Sequence, residues 1–243
     1  MNNWAYQYYR NDLDPNLQAV YDTIVKSCLV LERCVRLPPF LSKKSIEEVL
    51  LAIIKDHPEI FWIDYSKVVI KKSLFDTILI FNIYYSEQRV HQLSAEAIAW
   101  KAEIVSKLPS GFSNKDKAWL LFDYLARQVS YGKQSDSSSQ TIIGPLSKSH
   151  VSVCEGIAKS YKFLCDKAGI PCIVVFGKAY NDTSVGEHAW NIIETESGYK
   201  HVDVTAELCH AQKKGIATQT GFLHSDSDMY QYQWDQSHTP SCK

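Results

Sequence analysis

Three stretches of the chain carry residue types at spacings that could do thiol chemistry. The first is Val153-Cys154-Glu155-Gly156, at the head of a segment whose apolar residues Ile157, Tyr161, Leu164, Cys165 and Ala168 recur at helical spacing. Gly169 and Pro171 close the segment, as a glycine past the last turn and a following proline commonly do. Cys154 therefore falls in or just before the first helical turn. Unpaired N–H groups and the positive end of the helix dipole favour a thiolate over a thiol there, and the thiolate is the nucleophile. A cysteine also packs well as a small apolar side chain, so this position alone does not separate a reactive thiol from an inert one.

The other two stretches are Gly186-Glu187-His188-Ala189-Trp190-Asn191 and His201-Val202-Asp203-Val204-Thr205. They flank a turn at Ser197-Gly198 and read as the arms of a β-hairpin. Turning there, the hairpin sets Trp190 opposite Asp203 and His188 opposite Thr205, which leaves His188 and Asp203 as diagonal neighbours on one face. A slip of one residue in register would put them on opposite faces. A cysteine, a histidine and an aspartate so arranged make a nucleophile, a base and a group that orients the base.

These three motifs, Val-Cys-Glu-Gly, Gly-Glu-His-Ala-Trp-Asn and His-Val-Asp-Val-Thr, resemble those of the transglutaminase-like superfamily. The early helix, His57-Pro58-Glu59-Ile60-Phe61-Trp62 and Trp234-Asp235 are similar to a bacterial arrangement of that family. The resemblance implies a papain-like triad of Cys154 as nucleophile, His188 as base and Asp203 as orienter. It implies cysteine-dependent acyl transfer on amide or peptide bonds through a thioester, ending in hydrolysis or transamidation. A protein or peptide would be the substrate and a primary amine an acceptor alternative to water. The oxyanion would be met by the Cys154 N–H and a side-chain donor; Gln140, the amide in the incoming loop, is the candidate by loose analogy with papain-like enzymes. Trp190 is the candidate substrate-side residue, screening the thioester, against the plainer reading of a core tryptophan. The chain departs from the family just before the cysteine, where Ser147-Lys148-Ser149-His150-Val151-Ser152 stands in place of a Gly-Lys or similar small run.

The elements that must position these residues read as α+β. Leu17, Val20, Tyr21, Ile24, Cys28 and Leu31 share a helical face, and Ser45-Ile46-Glu47-Glu48 has the pattern of a helix entrance. Two β-rich runs follow, Lys67–Ile70 and Thr77–Tyr85, the second dense enough in Ile, Phe and Tyr to be a central strand. Helices are then expected from about Ser94 to Leu108 and after Ser113, the latter carrying Ala118, Leu121, Phe122, Leu125 and Val129 on one face. A polar loop from Ser130 to Ser152 leads into Cys154, and the run Cys172–Phe176 reads as a buried strand. The expected division is a small α+β unit over 1–90 and a catalytic core over 91–243 in which the Cys154 helix packs on an antiparallel sheet. The polar and aromatic tail, with Asp226, Asp228, Tyr230 and Trp234, is expected to lie over the sheet without chemistry of its own.

Composition narrows the alternatives. A formal net charge of -1 offers no electrostatic footprint for nucleic acid or an anionic membrane. No run approaches the 18 or so apolar residues of a membrane helix. The start Met1-Asn2-Asn3-Trp4-Ala5-Tyr6-Gln7 lacks a basic then apolar pattern, which favours the cytoplasm, or secretion if a signal peptide has been removed. The 7 cysteines are scattered, as free thiols would be. With no Cys-x-x-Cys or His-x-x-x-His cluster, and Cys209-His210 isolated, neither a metal nor another cofactor is expected. Two other classes stay open beside the thiol enzyme. One is a non-catalytic protein-binding module that keeps the fold; all three triad residues being present speaks for the enzyme. The other is a redox sensor built on Cys154, but Cys165 lies about three turns along the same helix, too far to resolve it.

Overall fold

A computed structural model describes residues 6–133, 137–181, 184–208 and 220–243. The Cys209-His210 pair and the Ser135-Asp136 part of the incoming loop lie outside them. The chain forms two compact units, Gln7–Ala95 and Glu96–Lys243, the latter also taking in Tyr6.

In Gln7–Ala95, helices α1 (Tyr8–Asp12), α2 (Pro15–Leu29) and α3 (Lys43–Asp56) accompany a sheet of β1 (Cys34–Leu37), β2 (Ile63–Lys72) and β3 (Thr77–Ile83). The strand order is β1-β3-β2, so the Ile- and Phe-rich run is the central strand, as its composition implies. Asp56, fully buried, ties α3 to the other two helices: it accepts from the backbone of Tyr9 and Arg10 at 3.3 and 2.9 Å and from the Tyr21 hydroxyl at 3.1 Å. Ser42, not Ser45, caps α3, accepting from the Ser45 N–H at 2.9 Å.

Helix α4 (Glu87–Ser106) spans the division in sequence and begins earlier than its periodicity implies. In Glu96–Lys243, α5 (Asn114–Gln128) starts at Ser113, whose hydroxyl accepts from Asp116 N–H at 3.1 Å. The polar stretch after it carries several short elements among its described residues. Strand β4 (Ser130–Tyr131) pairs in parallel with β5 (Val151–Ser152), and between them lie a 3₁₀ turn (Ser137–Gln140) and the short helix α6 (Ile143–Leu146). Helix α7 (Cys154–Ala168) follows and ends at Gly169, which takes the left-handed conformation with φ +74°.

The main sheet is antiparallel and five-stranded. Its strands are β6 (Cys172–Asn181), β7 (Ser184–Thr195), β8 (Gly198–Val202), β9 (Phe222–His224) and β10 (Tyr232–Trp234), in the order β10-β6-β7-β8-β9. Helix α7 packs on β6 and β7. Its face bearing Ile157, Tyr161, Leu164 and Cys165 joins α5 and the sheet in one core with Leu121, Phe122, Leu125, Ile193 and Val202. The class is therefore α+β, with a helix headed by Cys154 laid on an antiparallel sheet. Among the described residues no helix is long and apolar enough to cross a membrane.

Candidate active site

Cys154 is the first residue of α7, half-buried, and Val153 before it is extended. The incoming loop is locked to this helix start. Ser139 accepts from the Val153 N–H at 3.0 Å and from the Ser152 hydroxyl at 2.8 Å. Gly156 explains why the motif continues Cys-Glu-Gly. A Cβ there would collide with the Ser139 carbonyl and the Ser152 hydroxyl, and would reach the Thr141 carbonyl at 2.8 Å. Only a residue without a side chain lets the loop lie so close to the helix.

The histidine comes from β7. Asn191 faces Val202 and Ile192 faces His201 across β7 and β8, the register expected from the alternation of the two arms. His188 and Trp190 thus share a face. The strand β8 ends at Val202, however, and the chain turns into a helical segment at 204–208. Thr205 is therefore not opposite His188, and Asp203 becomes the cap of that segment, its Oδ1 accepting from Ala206 N–H at 3.0 Å. Asp203 Oδ2 is left facing His188 Nε2 at 2.7 Å. Asn191, the last residue of the second motif, joins this strand to α7: it donates from Nδ2 to the carbonyls of Ala158 and Ile173 at 3.0 and 3.1 Å.

With Nε2 committed to Asp203, Nδ1 is the ring atom left for Cys154, which heads α7 and packs against Ala158, Val174 and Ala189, the last of these next to His188 on β7. Burial disfavours the charged ring, but the Asp203 carboxylate and then Cys154 outweigh it, and the His188 pKa is pushed up from 6.5 to about 10. Asp203 moves the other way. Burial would raise it, yet His188, the Tyr232 hydroxyl and the Ala206 N–H together hold it below its ordinary 3.8.

Tyr232, on the edge strand β10, was invisible to motif reading. Its hydroxyl donates to Asp203 Oδ2 at 2.8 Å. The available signal was the Tyr-Gln-Trp alternation of Tyr232–Trp234, a strand with both aromatic rings on one face. The tail is thus not laid over the sheet as expected but supplies its two edge strands, β9 and β10, and brings a polar contact to Asp203.

Trp190 is 1% exposed, so a substrate arriving from solvent does not meet its ring. It lies under the imidazole, stacked on His188 with centroids 5.9 Å apart and planes at 20°, a placement that favours a positive ring. Gly177, opposite His188 on β6, makes room for it; a Cβ there would come within 2.8 Å of the indole. Gln140 is exposed at the end of the 3₁₀ turn, next to the Ser139 carbonyl that holds Val153.

The site therefore sets a helix-start cysteine on an antiparallel sheet that carries a histidine–aspartate pair. Residues 98–204 match the model of the transglutaminase-like superfamily, the family that the three motifs resemble. Comparison with curated proteins gives no sequence match. Among solved structures, the chain is similar to a protein from Cytophaga hutchinsonii assigned as a cysteine protease, at 11% identity and a TM-score of 0.39, covering 69% of this chain and 70% of that one. It is similar to a TGase at 13% identity and a TM-score of 0.41, covering 86% and 56%. It is also similar to the periplasmic domain of TgpA from Pseudomonas aeruginosa at 17% identity and a TM-score of 0.39, covering 58% and 59%. The chain spans less than two thirds of the latter two.

Proposed function

We propose that this protein is a thiol enzyme that transfers acyl groups from amide or peptide bonds through a thioester on Cys154. The observation that supports the reading is His188, held by Asp203 at 2.7 Å on the sheet against which Cys154, at the start of α7, is packed. The chemistry belongs to the unit Glu96–Lys243, and Gln7–Ala95 serves packing.

The steps follow from the groups present. His188 takes the proton of Cys154, giving a thiolate–imidazolium pair, and Asp203 fixes the ring tautomer. The thiolate attacks the substrate carbonyl carbon. Its oxygen becomes an oxyanion beside the Cys154 N–H and the Gln140 amide. The C–N bond breaks as His188 returns its proton to the leaving amine, and a thioester remains. Water, deprotonated by His188, then releases a carboxylic acid; a primary amine releases a new amide. The substrate is a protein or peptide.

The test is the rate of Cys154 alkylation by iodoacetamide against pH, read on the modified peptide by mass spectrometry, in wild type and His188→Ala. Rapid labelling well below the ordinary thiol pKa of about 8.5, lost in the variant, supports the activated pair. Slow labelling with an ordinary thiol profile in both proteins refutes it and turns the reading to a binding module of the same fold.

A further inference from the structure

Behind Trp190 lies a second buried histidine that the reaction scheme does not use. His201 is 0% exposed on β8, diagonal to Trp190 across the β7–β8 pairing. The Trp190 indole N–H donates to His201 Nδ1 at 3.0 Å. An indole N–H is a donor only, so Nδ1 carries the lone pair and Nε2 carries the proton. That proton faces Asp226 Oδ1 at 2.9 Å. Asp226 is in turn fixed from its other oxygen, which accepts from Cys242 N–H at 3.0 Å and from the Ser241 hydroxyl at 3.2 Å. Burial lowers the His201 pKa against the pull of Asp226, in keeping with a neutral ring.

The same atoms could be taken for a metal centre, since ligand atoms of His201, Asp226 and Cys242 lie within 4.8 Å of one another. The indole rules against it. A neutral imidazole accepting at Nδ1 has no lone pair to offer at Nε2, and a metal there would require an imidazolate. The cluster is a directed hydrogen-bond chain ending on Trp190. That ring is also wedged against Tyr232 and Trp234, at centroid distances of 5.2 and 5.7 Å, and its face carries His188.

We propose that His201 is a positioning residue for His188: held in one tautomer by Asp226, it pins the Trp190 indole and so sets the plane on which the His188 ring rests. This rests on the reading of His188 as the base of the thiol site. Without the acceptor, the buried indole N–H is left unpaired, which favours a displaced ring within its packing and, with it, a displaced stack under His188.

The test follows the titration of the His188 ring by NMR in the full chain, with thermal unfolding recorded for each variant. His201→Phe removes the acceptor and Trp190→Phe removes the donor while keeping an aromatic ring. His201→Asn keeps an acceptor oxygen where Nδ1 stood. The proposal expects both phenylalanine variants to move the His188 midpoint by about half a pH unit or more, the double variant to move it no further than the larger single, and His201→Asn to stay close to wild type. A His188 midpoint unmoved in both single variants while the melting temperature falls assigns His201 a purely structural role and overturns the proposal. So do additive shifts in the double variant. Should His201→Phe fail to fold, Trp190→Phe decides alone, an unmoved midpoint being the overturning result. The readout does not involve Cys154, so a thiol that proves unreactive removes the enzyme reading and leaves this outcome legible.

Discussion

The Tyr232 hydroxyl donates to Asp203 Oδ2 at 2.8 Å, the same oxygen that faces His188. A residue of the tail thereby shares the carboxylate that orients the candidate base. Tyr232→Phe is expected to lower stability by about 1.5–3 kcal/mol, the range for a hydrogen bond to a charged group. Urea unfolding should show a lower midpoint at unchanged slope. With one donor fewer on Oδ2, Asp203 pulls harder on His188, so the His188 midpoint should rise; a fall would contradict this arrangement.

The pair also makes stability depend on pH in a definite direction. The His188 pKa is raised from 6.5 to about 10, so its contribution is fully present below 6.5 and is lost as pH rises through about 10. Asp203 is held below 3.8, so its share is present above 3.8 and is lost as pH falls through its lowered value. Removing the ring leaves a buried carboxylate without its ion partner, and His188→Ala should cost about 3 kcal/mol or more near neutrality. The stability gap between wild type and His188→Ala, measured by denaturant titration, should be constant from pH 3.8 to 6.5 and narrow towards pH 10. A gap still undiminished at pH 10 would show that the Asp203 interaction does not raise this histidine.

Gly156, in the first turn of α7, and Gly169, just past its end, should behave differently. At Gly156 a methyl group meets the Ser139 and Thr141 carbonyls, so Gly156→Ala must push the incoming loop off the helix start. It should destabilise by about 1–3 kcal/mol, the usual cost of overpacking, and slow alkylation of Cys154. At Gly169, with φ +74° and open space around it, Gly169→Ala should cost about 1–2 kcal/mol of backbone strain. Alkylation of Cys154 should be untouched there. Equal effects on labelling would remove the special role given to the loop.

Gln140 is separated from Cys154 by choice of reagent. Alkylation by iodoacetamide displaces iodide and forms no oxyanion, whereas acylation by an activated ester does. Gln140→Ala should therefore leave the alkylation rate unchanged and lower the acylation rate by about a hundredfold or more if its amide meets the oxyanion. Stopped-flow acylation with a nitrophenyl ester reads this directly, and an unchanged acylation rate dismisses Gln140.

Local pattern carried much of the architecture. The α7 boundaries follow from apolar spacing and Gly169, and the β7–β8 register from the alternation of two short arms around a glycine turn. Boundaries slipped where the local signal was weak. The first turns of α4 are polar, with Ser86 rather than an apolar residue marking their start, its hydroxyl accepting from the Arg89 N–H at 3.3 Å. Strand β1, four residues long, exists because Val35 and Leu37 find β3, a non-local pairing. Thr205 was set opposite His188 because alternation alone does not reveal that Asp203 stops the strand by capping the next turn.

By itself, then, the sequence determined a helix beginning at Cys154 and a hairpin with His188 and Asp203 on the same side, because both depend on residues within a few positions of one another. Tertiary structure alone decided which side chains meet there. It packs Cys154 against Val174 and Ala189 on the sheet that carries His188, and brings Tyr232 to Asp203, Trp190 beneath the imidazole and His201 behind the indole. Those contacts join separate strands and a helix through the packing of a buried sheet face, and periodicity along the chain carries no record of which element will lie beside which.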